Sequence, residues 1–217
     1  EVIASGSSAL SVDAFEAAAN ETDAIILDVR NEKEFVKAFI PRSIFIGIDG
    51  GFAPWVGSLI KDVKQPILLV ADKTRVTEVI TRLSRVGFDN TIGYLDGGIE
   101  AWKAAGKEID SIRSINALEF KKEWLANNLP VFDMRKAGEW GTEHLQNAQH
   151  ICLSNISNQL AEFPKDKEFY VHCAGGYRSV IASSILKSRG YHNVTDVAGG
   201  FDEIKKTNLA KTSEVLA

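Results

Sequence analysis

Cysteine is scarce in this chain. Its 217 residues carry only Cys152 and Cys173. A secreted chain of this size held by disulfides would carry more, so reduced thiols in a cytoplasmic compartment are the expectation. Long apolar runs are missing too. None approaches the ~20 residues needed to span a bilayer, so no membrane partner is expected. There is no excess of basic charge: 25 Lys and Arg stand against 29 Asp and Glu, a formal net charge of −4. That argues against a dedicated nucleic-acid binder. No His/Cys/Asp cluster has metal-ligand spacing and no GxGxxG or phosphate-binding P-loop occurs, so neither a metal nor a cofactor is expected. The opening EVIASGSSAL has no basic stretch followed by an apolar one, so no signal peptide is expected. Its start at Glu1 predicts a processed chain or a piece of a longer one.

What is present is ordinary globular composition, 45% hydrophobic and 25% charged, at a length that allows one large domain or two of ordinary size. The chain also repeats itself. AIILDVRNEKEF (24–35) resembles LPVFDMRKAGEW (129–140): each is an apolar strand ending in Asp-x-Arg, then a turn, then an acidic-aromatic pair. Upstream of each, SVDAFEAAAN and INALEFKKEWLAN read as short helices. Downstream, RVGFDNTIGYLDGGIEAWK (85–103) resembles SRGYHNVTDVAGGFDEIKK (188–206). Two domains follow, 1–110 and 111–217, with the boundary in the polar stretch AAGKEIDSIRSI. Within each, short apolar strands alternate with helices. That predicts an α/β fold, a mostly parallel sheet with helices on both faces and any active site at the carboxyl ends of the strands.

One stretch carries chemistry: YVHCAGGYRSVIASSIL, 170–186. Cys173 ends a predicted strand. A predicted helix begins near Ser179, which reads as its N-cap, with Val180, Ile181, Ile185 and Leu186 on an amphipathic face and Gly190 as its stop. Backbone amides freed by Gly175 and Gly176 can curl around a sulfur, the helix start adds partial positive charge, and Arg178 adds a full one. All three favour thiolate over thiol, and thiolate is the nucleophile. The bland alternatives are a packing cysteine on a glycine turn and an arginine paired with a surface acid.

YVHCAGGYRSVIAS resembles the active-site loop of the rhodanese family of sulfurtransferases. FDMRKAGEW, EHLQNAQHI and VAGGFDEI resemble further stretches of that family, although Glu143 and Gln146-Asn147 depart from its usual residues. The resemblance covers nearly the whole chain as two tandem rhodanese-like domains. It implies that Cys173 is the catalytic residue, accepting sulfane sulfur as a persulfide and passing it on. Ala174, Gly175, Gly176, Tyr177, Arg178 and Ser179 would bind the substrate, with Arg178 contacting an anionic donor or bracing the loop. The implied partners are a small sulfane-sulfur donor, such as thiosulfate or a persulfide, and a thiol or cyanide acceptor. A fused or partner metallo-β-lactamase-fold domain is a further expectation, because similar tandem pairs occur behind such domains. Four residues separate Cys173 from Arg178; phosphatases that resemble this fold use five, so a phosphatase or arsenate reductase is the minor alternative. A sulfur-carrier module serving a protein partner is the other.

In the first copy the loop reads ADKTRVTE, with no cysteine or glycine near Val70 to Asp72. That copy is expected to be catalytically inactive. Among the remaining residues, Asp28 and Asp133 are expected to hydrogen-bond local backbone. His172 should point to the face opposite Cys173. His144 is placed at the site edge, Cys152 in a structural strand, Trp55 in a loop, and Trp102, Trp124 and Trp140 in packing.

Overall fold

The computed structural model describes residues 6–214. The chain forms two compact units, Glu1–Ser111 and Ile112–Ala217. Each is built on the same five-stranded parallel sheet with helices between its strands.

In the first unit the order is β1 (Ala9–Leu10), α1 (Val12–Glu21), β2 (Ile25–Asp28), α2 (Glu32–Phe35), β3 (Ile44–Phe45), α3 (Phe52–Leu59), β4 (Ile67–Val70), α4 (Val76–Ser84), β5 (Thr91–Leu95) and α5 (Gly98–Ala104). Its strands form one parallel sheet in the order β1-β5-β4-β2-β3. All four residues of β4 are buried, which requires cover on both faces of the sheet. On one face Leu68, Val70 and Leu95 pack with Phe15 of α1 and with Ile99 and Trp102 of α5.

The second unit repeats the plan: β6 (Arg113–Ile115), α6 (Ala117–Asn127), β7 (Val131–Asp133), α7 (Ala137–Thr142), β8 (His144–Leu145), β9 (Gln149–His150), β10 (Phe169–His172), α8 (Tyr177–Ser188), β11 (Val194–Val197), α9 (Gly200–Ile204) and β12 (Lys211–Thr212). Its parallel sheet runs β6-β11-β10-β7-β9, and β12 pairs antiparallel with β8. Phe120, Trp124, Tyr170, Val197, Phe201 and Ile204 form the core on one face. Phe132, Phe163 and Phe169 pack on the other, one pair edge-on and two tilted. Each such ring taken out of water contributes about 1.5–3 kcal/mol.

The helix starts follow their sequence signals. Ser11 caps α1 through Ala14 N–H, and Asn116 caps α6 through Leu118 and Glu119 N–H. Three expectations need correction. The helix after Cys173 starts at Tyr177 with Gly176 as its N-cap, so Ser179 lies inside the first turn. That helix is also not amphipathic: all of 179–186 is buried, and Ser183 and Ser184 satisfy their hydroxyls on the carbonyls of Ser179 and Ile181. Small hydroxyl side chains that bond back to their own helix can be enclosed without leaving a polar group unpaired. Trp55 lies on α3 rather than in a loop. Trp102, Trp124 and Trp140 are buried, as expected of packing residues. Among the described residues no helix is long and apolar enough to cross a membrane.

Candidate active site

The Asp-x-Arg motif closes the strand in both copies by the same geometry. Asp133 Oδ1 accepts from the Arg135 backbone N–H, and both carboxylate oxygens accept from its guanidinium at 2.6–3.0 Å. Arg135 Nη2 also donates to the Glu143 carbonyl. In the first copy Asp28 and Arg30 repeat these bonds, with Ala38 supplying the carbonyl. The expected local backbone bonds of both aspartates are therefore present, together with an ion pair the sequence did not announce. The motif fixes the turn that delivers the next helix to the carboxyl edge of the sheet.

Register locates the thiol and its counterpart. Asp133 pairs with His172, and Asp28 pairs with Val70. Cys173 and Ala71 are therefore the first residues past equivalent strands. Cys173 is buried, and its Sγ accepts from Gly176 N–H at 3.1 Å and lies 3.6 Å from Ser179 Oγ. The sulfur thus sits at the N-terminal end of α8, among the groups that stabilise negative charge.

The loop is held from beneath by α9. Cys173 O accepts from Phe201 N–H at 2.7 Å, and Ala174 O accepts from Asp202 N–H at 2.9 Å. In a trans peptide the N–H points opposite to the C=O. Pinning these two carbonyls on α9 therefore turns the amides of Ala174 and Gly175 to the other side of the loop. Gly176, at φ +106°, turns the chain into α8, and a Cβ there would meet Gly199 N at 3.2 Å.

Arg178 is engaged. Its Nη1 and Nη2 donate to Glu139 of α7 at 2.6 and 2.8 Å. Glu139 also accepts from Lys136 N–H, and these bonds, with that to Arg178 the largest cause, lower its pKa to about 2. Of the two roles implied for Arg178, the pairing provides the brace. Ala174 and Tyr177 are half-buried and Gly175 is exposed at the loop tip. Glu139 was visible in sequence only as half of the repeated acidic-aromatic pair. Its first-copy counterpart, Glu34, pairs with Lys37 instead.

Two histidines lie where the first copy has phenylalanines. Phe35 stacks on Phe39 at 4.3 Å and packs on Phe45 at 5.1 Å. The equivalent Trp140 stacks on His144 at 3.5 Å and on His150 at 5.0 Å. His144 is thus buried in a stack, with Nδ1 bonded to Trp140 O. Cys152 lies past the end of β9, half-buried, with Sγ 3.2 Å from Ser154 Oγ, and neither cysteine is in a disulfide.

The first copy's edge carries a cleft of about 240 Å³ lined by Val29, Arg30, Asn31, Ile48, Asp49, Asp72 and Arg75. It holds no thiol. Asp72 Oδ1 accepts from Thr74 N–H and Oγ1–H, which lowers its pKa. Arg75 is tied to Asp49 and Glu78. A carboxylate of the chain itself occupies the loop's donors there.

The family model for the rhodanese-like domain matches residues 11–105 and again 117–207. The Bacillus subtilis protein YrkF, named as a candidate sulfur carrier, is 27% identical over 97 residues, covering 44% of this chain and 52% of that one. The chain thus spans about half the length of that relative. The Coxiella burnetii thiosulfate sulfurtransferase GlpE is 26% identical over 94 residues, 43% of this chain and 85% of that one. A solved rhodanese-related protein from Thermoplasma volcanium is 29% identical, with a TM-score of 0.43, covering 47% of this chain and 99% of that one. With the family model matching most of its length, once in each unit, the chain belongs to the rhodanese family.

Proposed function

We propose that this chain is a sulfurtransferase that works through its second unit. The observation that carries the reading is the setting of Cys173: its sulfur accepts an amide N–H at 3.1 Å at the head of a helix, within a loop whose carbonyls are tied off on the opposite side. The Cys173 thiolate attacks the outer sulfur of a sulfane donor. With thiosulfate, the S–S bond breaks, its electron pair leaves on sulfite, and Cys173 keeps the sulfur as a persulfide anion. A thiophilic acceptor then attacks the terminal sulfur: cyanide becomes thiocyanate, or a thiolate becomes a persulfide, and the Cys173 thiolate returns. No oxidant is needed and the two half-reactions give ping-pong kinetics. The loop amides stabilise the anionic sulfur in both. Arg178, clamped by Glu139, holds the loop against α7, while Ala174, Gly175, Gly176, Tyr177 and Ser179 frame the approach of the donor.

The first unit carries Ala71 at the cysteine position and takes no part in the covalent step. A second reading is supported by the name of the Bacillus subtilis relative: Cys173 loads sulfur and relays it to a protein, turning over slowly with small acceptors. Whole-protein mass spectrometry after incubation with thiosulfate, mercaptopyruvate or glutathione persulfide tests the shared step. A gain of one sulfur that is absent in Cys173→Ser supports it, and no gain with any donor overturns it. Steady-state turnover with cyanide or glutathione then separates enzyme from relay.

A further inference from the structure

His172 is wholly buried, and the residue in register with it in the first copy is Val70. Its Nδ1 lies 3.1 Å from the carbonyl oxygen of Cys173. A carbonyl only accepts, so Nδ1 carries the proton. Among the described residues Nε2 then has no hydrogen-bond partner, with the Asp133 carboxylate 3.8 Å away. Burying an imidazole with one unpaired nitrogen costs free energy that a valine would not. In the first copy, with the same Asp-x-Arg motif beside it and no thiol to place, a valine fills the position. The cost in the second copy is offset at one point, the carbonyl of the residue that bears the sulfur.

That carbonyl accepts twice, from His172 Nδ1–H and from Phe201 N–H. The two donors come from different elements, β10 and α9, and together they fix the rotation of the peptide plane between Cys173 and Ala174. The plane sets which way the Ala174 amide points relative to Cβ and Sγ of Cys173, one bond away on its Cα. The groups facing the imidazole are Asp133 from β7 and Arg135 from the turn just after it, the Phe201 ring from α9 at 6.1 Å, and its own neighbour Cys173.

We propose that His172 is a positioning residue for Cys173, holding its carbonyl through Nδ1–H so that the sulfur stays aimed at the loop amides. This rests on the reading of Cys173 as the reacting thiol. An asparagine carries an amide nitrogen at the place of Nδ1; a glutamine carries it at the place of Nε2. The test uses the full chain and the variants His172→Asn and His172→Gln. The rate of Cys173 alkylation by iodoacetamide is measured against that of Cys152 in the same molecule, by peptide mass spectrometry, with melting temperature recorded in parallel. Sulfur uptake from thiosulfate and glutathione persulfide is followed on the same samples. His172→Gln should lower the Cys173-to-Cys152 ratio about tenfold, the scale of one lost hydrogen bond, and His172→Asn should restore most of it. An unchanged ratio in His172→Gln overturns the proposal. So does an equal fall in both variants that follows their melting temperatures, which marks a packing role. If wild type takes up no sulfur while the ratio still falls only in His172→Gln, sulfur transfer fails and the positioning role stands.

Discussion

A Cβ added to Gly200 would lie 2.4 Å from the carbonyl oxygen of Cys173. It would also lie 2.6 Å from that of Ala174, so the first residue of α9 is in contact with the backbone of the sulfur loop. Gly98 has nearly the same backbone, φ +60° against +55°, yet a Cβ there meets nothing within 4 Å among the described residues.

Gly200→Ala should therefore cost about 3 kcal/mol or more, because backbone must shift, and should cut sulfur uptake at least tenfold. Gly98→Ala should cost about 1–2 kcal/mol, the strain of a left-handed alanine alone, and leave uptake unchanged. Chemical denaturation and mass spectrometry check both. Equal costs at the two glycines would contradict the close contact.

The clamp between Glu139 and Arg178 predicts an acid-dependent loss. The folded-state pKa of Glu139 is about 2, below its unfolded value of ~4.3. Its contribution is thus complete above ~5 and is lost as pH falls from there toward 2. Its side chain is 35% exposed, so the pair is expected to contribute about 1 kcal/mol. Glu139→Gln should melt below wild type at pH 7, and the gap should narrow as pH falls through 4 and 3 and close only below about 2. Thermal unfolding across that range measures it.

Burial lowers the pKa of His172 from its usual 6.5, so the folded state holds it neutral. The unfolded chain binds the proton first as pH falls, so its contribution is present above ~6.5 and declines below. The fall in melting temperature between pH 7.5 and 5.5 should be smaller in His172→Asn than in wild type. An identical fall would mean that His172 does not titrate on unfolding.

The first copy lacks more than a thiol. Restoring one by Ala71→Cys, in a Cys173→Ser background, should give no sulfur adduct above that of Cys173→Ser alone, because Asp72 caps the loop and no glycine opens it. Mass spectrometry after donor incubation reads the outcome. A full adduct at residue 71 would show that a thiol at this sheet edge suffices.

Much of this was legible in sequence because it depends on neighbours in the chain. The two Asp-x-Arg stretches, the strand-to-helix alternation and the Cys-Ala-Gly-Gly-Tyr-Arg loop are local patterns, and each landed at the carboxyl edge of a parallel sheet. The two-residue strands β3 and β9 were not legible, since two residues carry no periodicity. Nor was the N-cap: Ser179 is the better capping residue by type, but Gly176 has the backbone conformation that turns the chain.

By itself the sequence determined the fold class, the duplication, and which copy keeps a thiol, because composition, period and residue identity are properties of the chain alone. Only the tertiary structure decided what surrounds that thiol. Glu139 meets Arg178 from 39 residues away, and α9 meets the Cys173 and Ala174 carbonyls from nearly 30. His172 looks like one more residue of an apolar strand until the pleat and the pairing with Asp133 bury it against the carbonyl it holds. These contacts join segments distant in the chain, and packing the sheet against its helices is what brings them together.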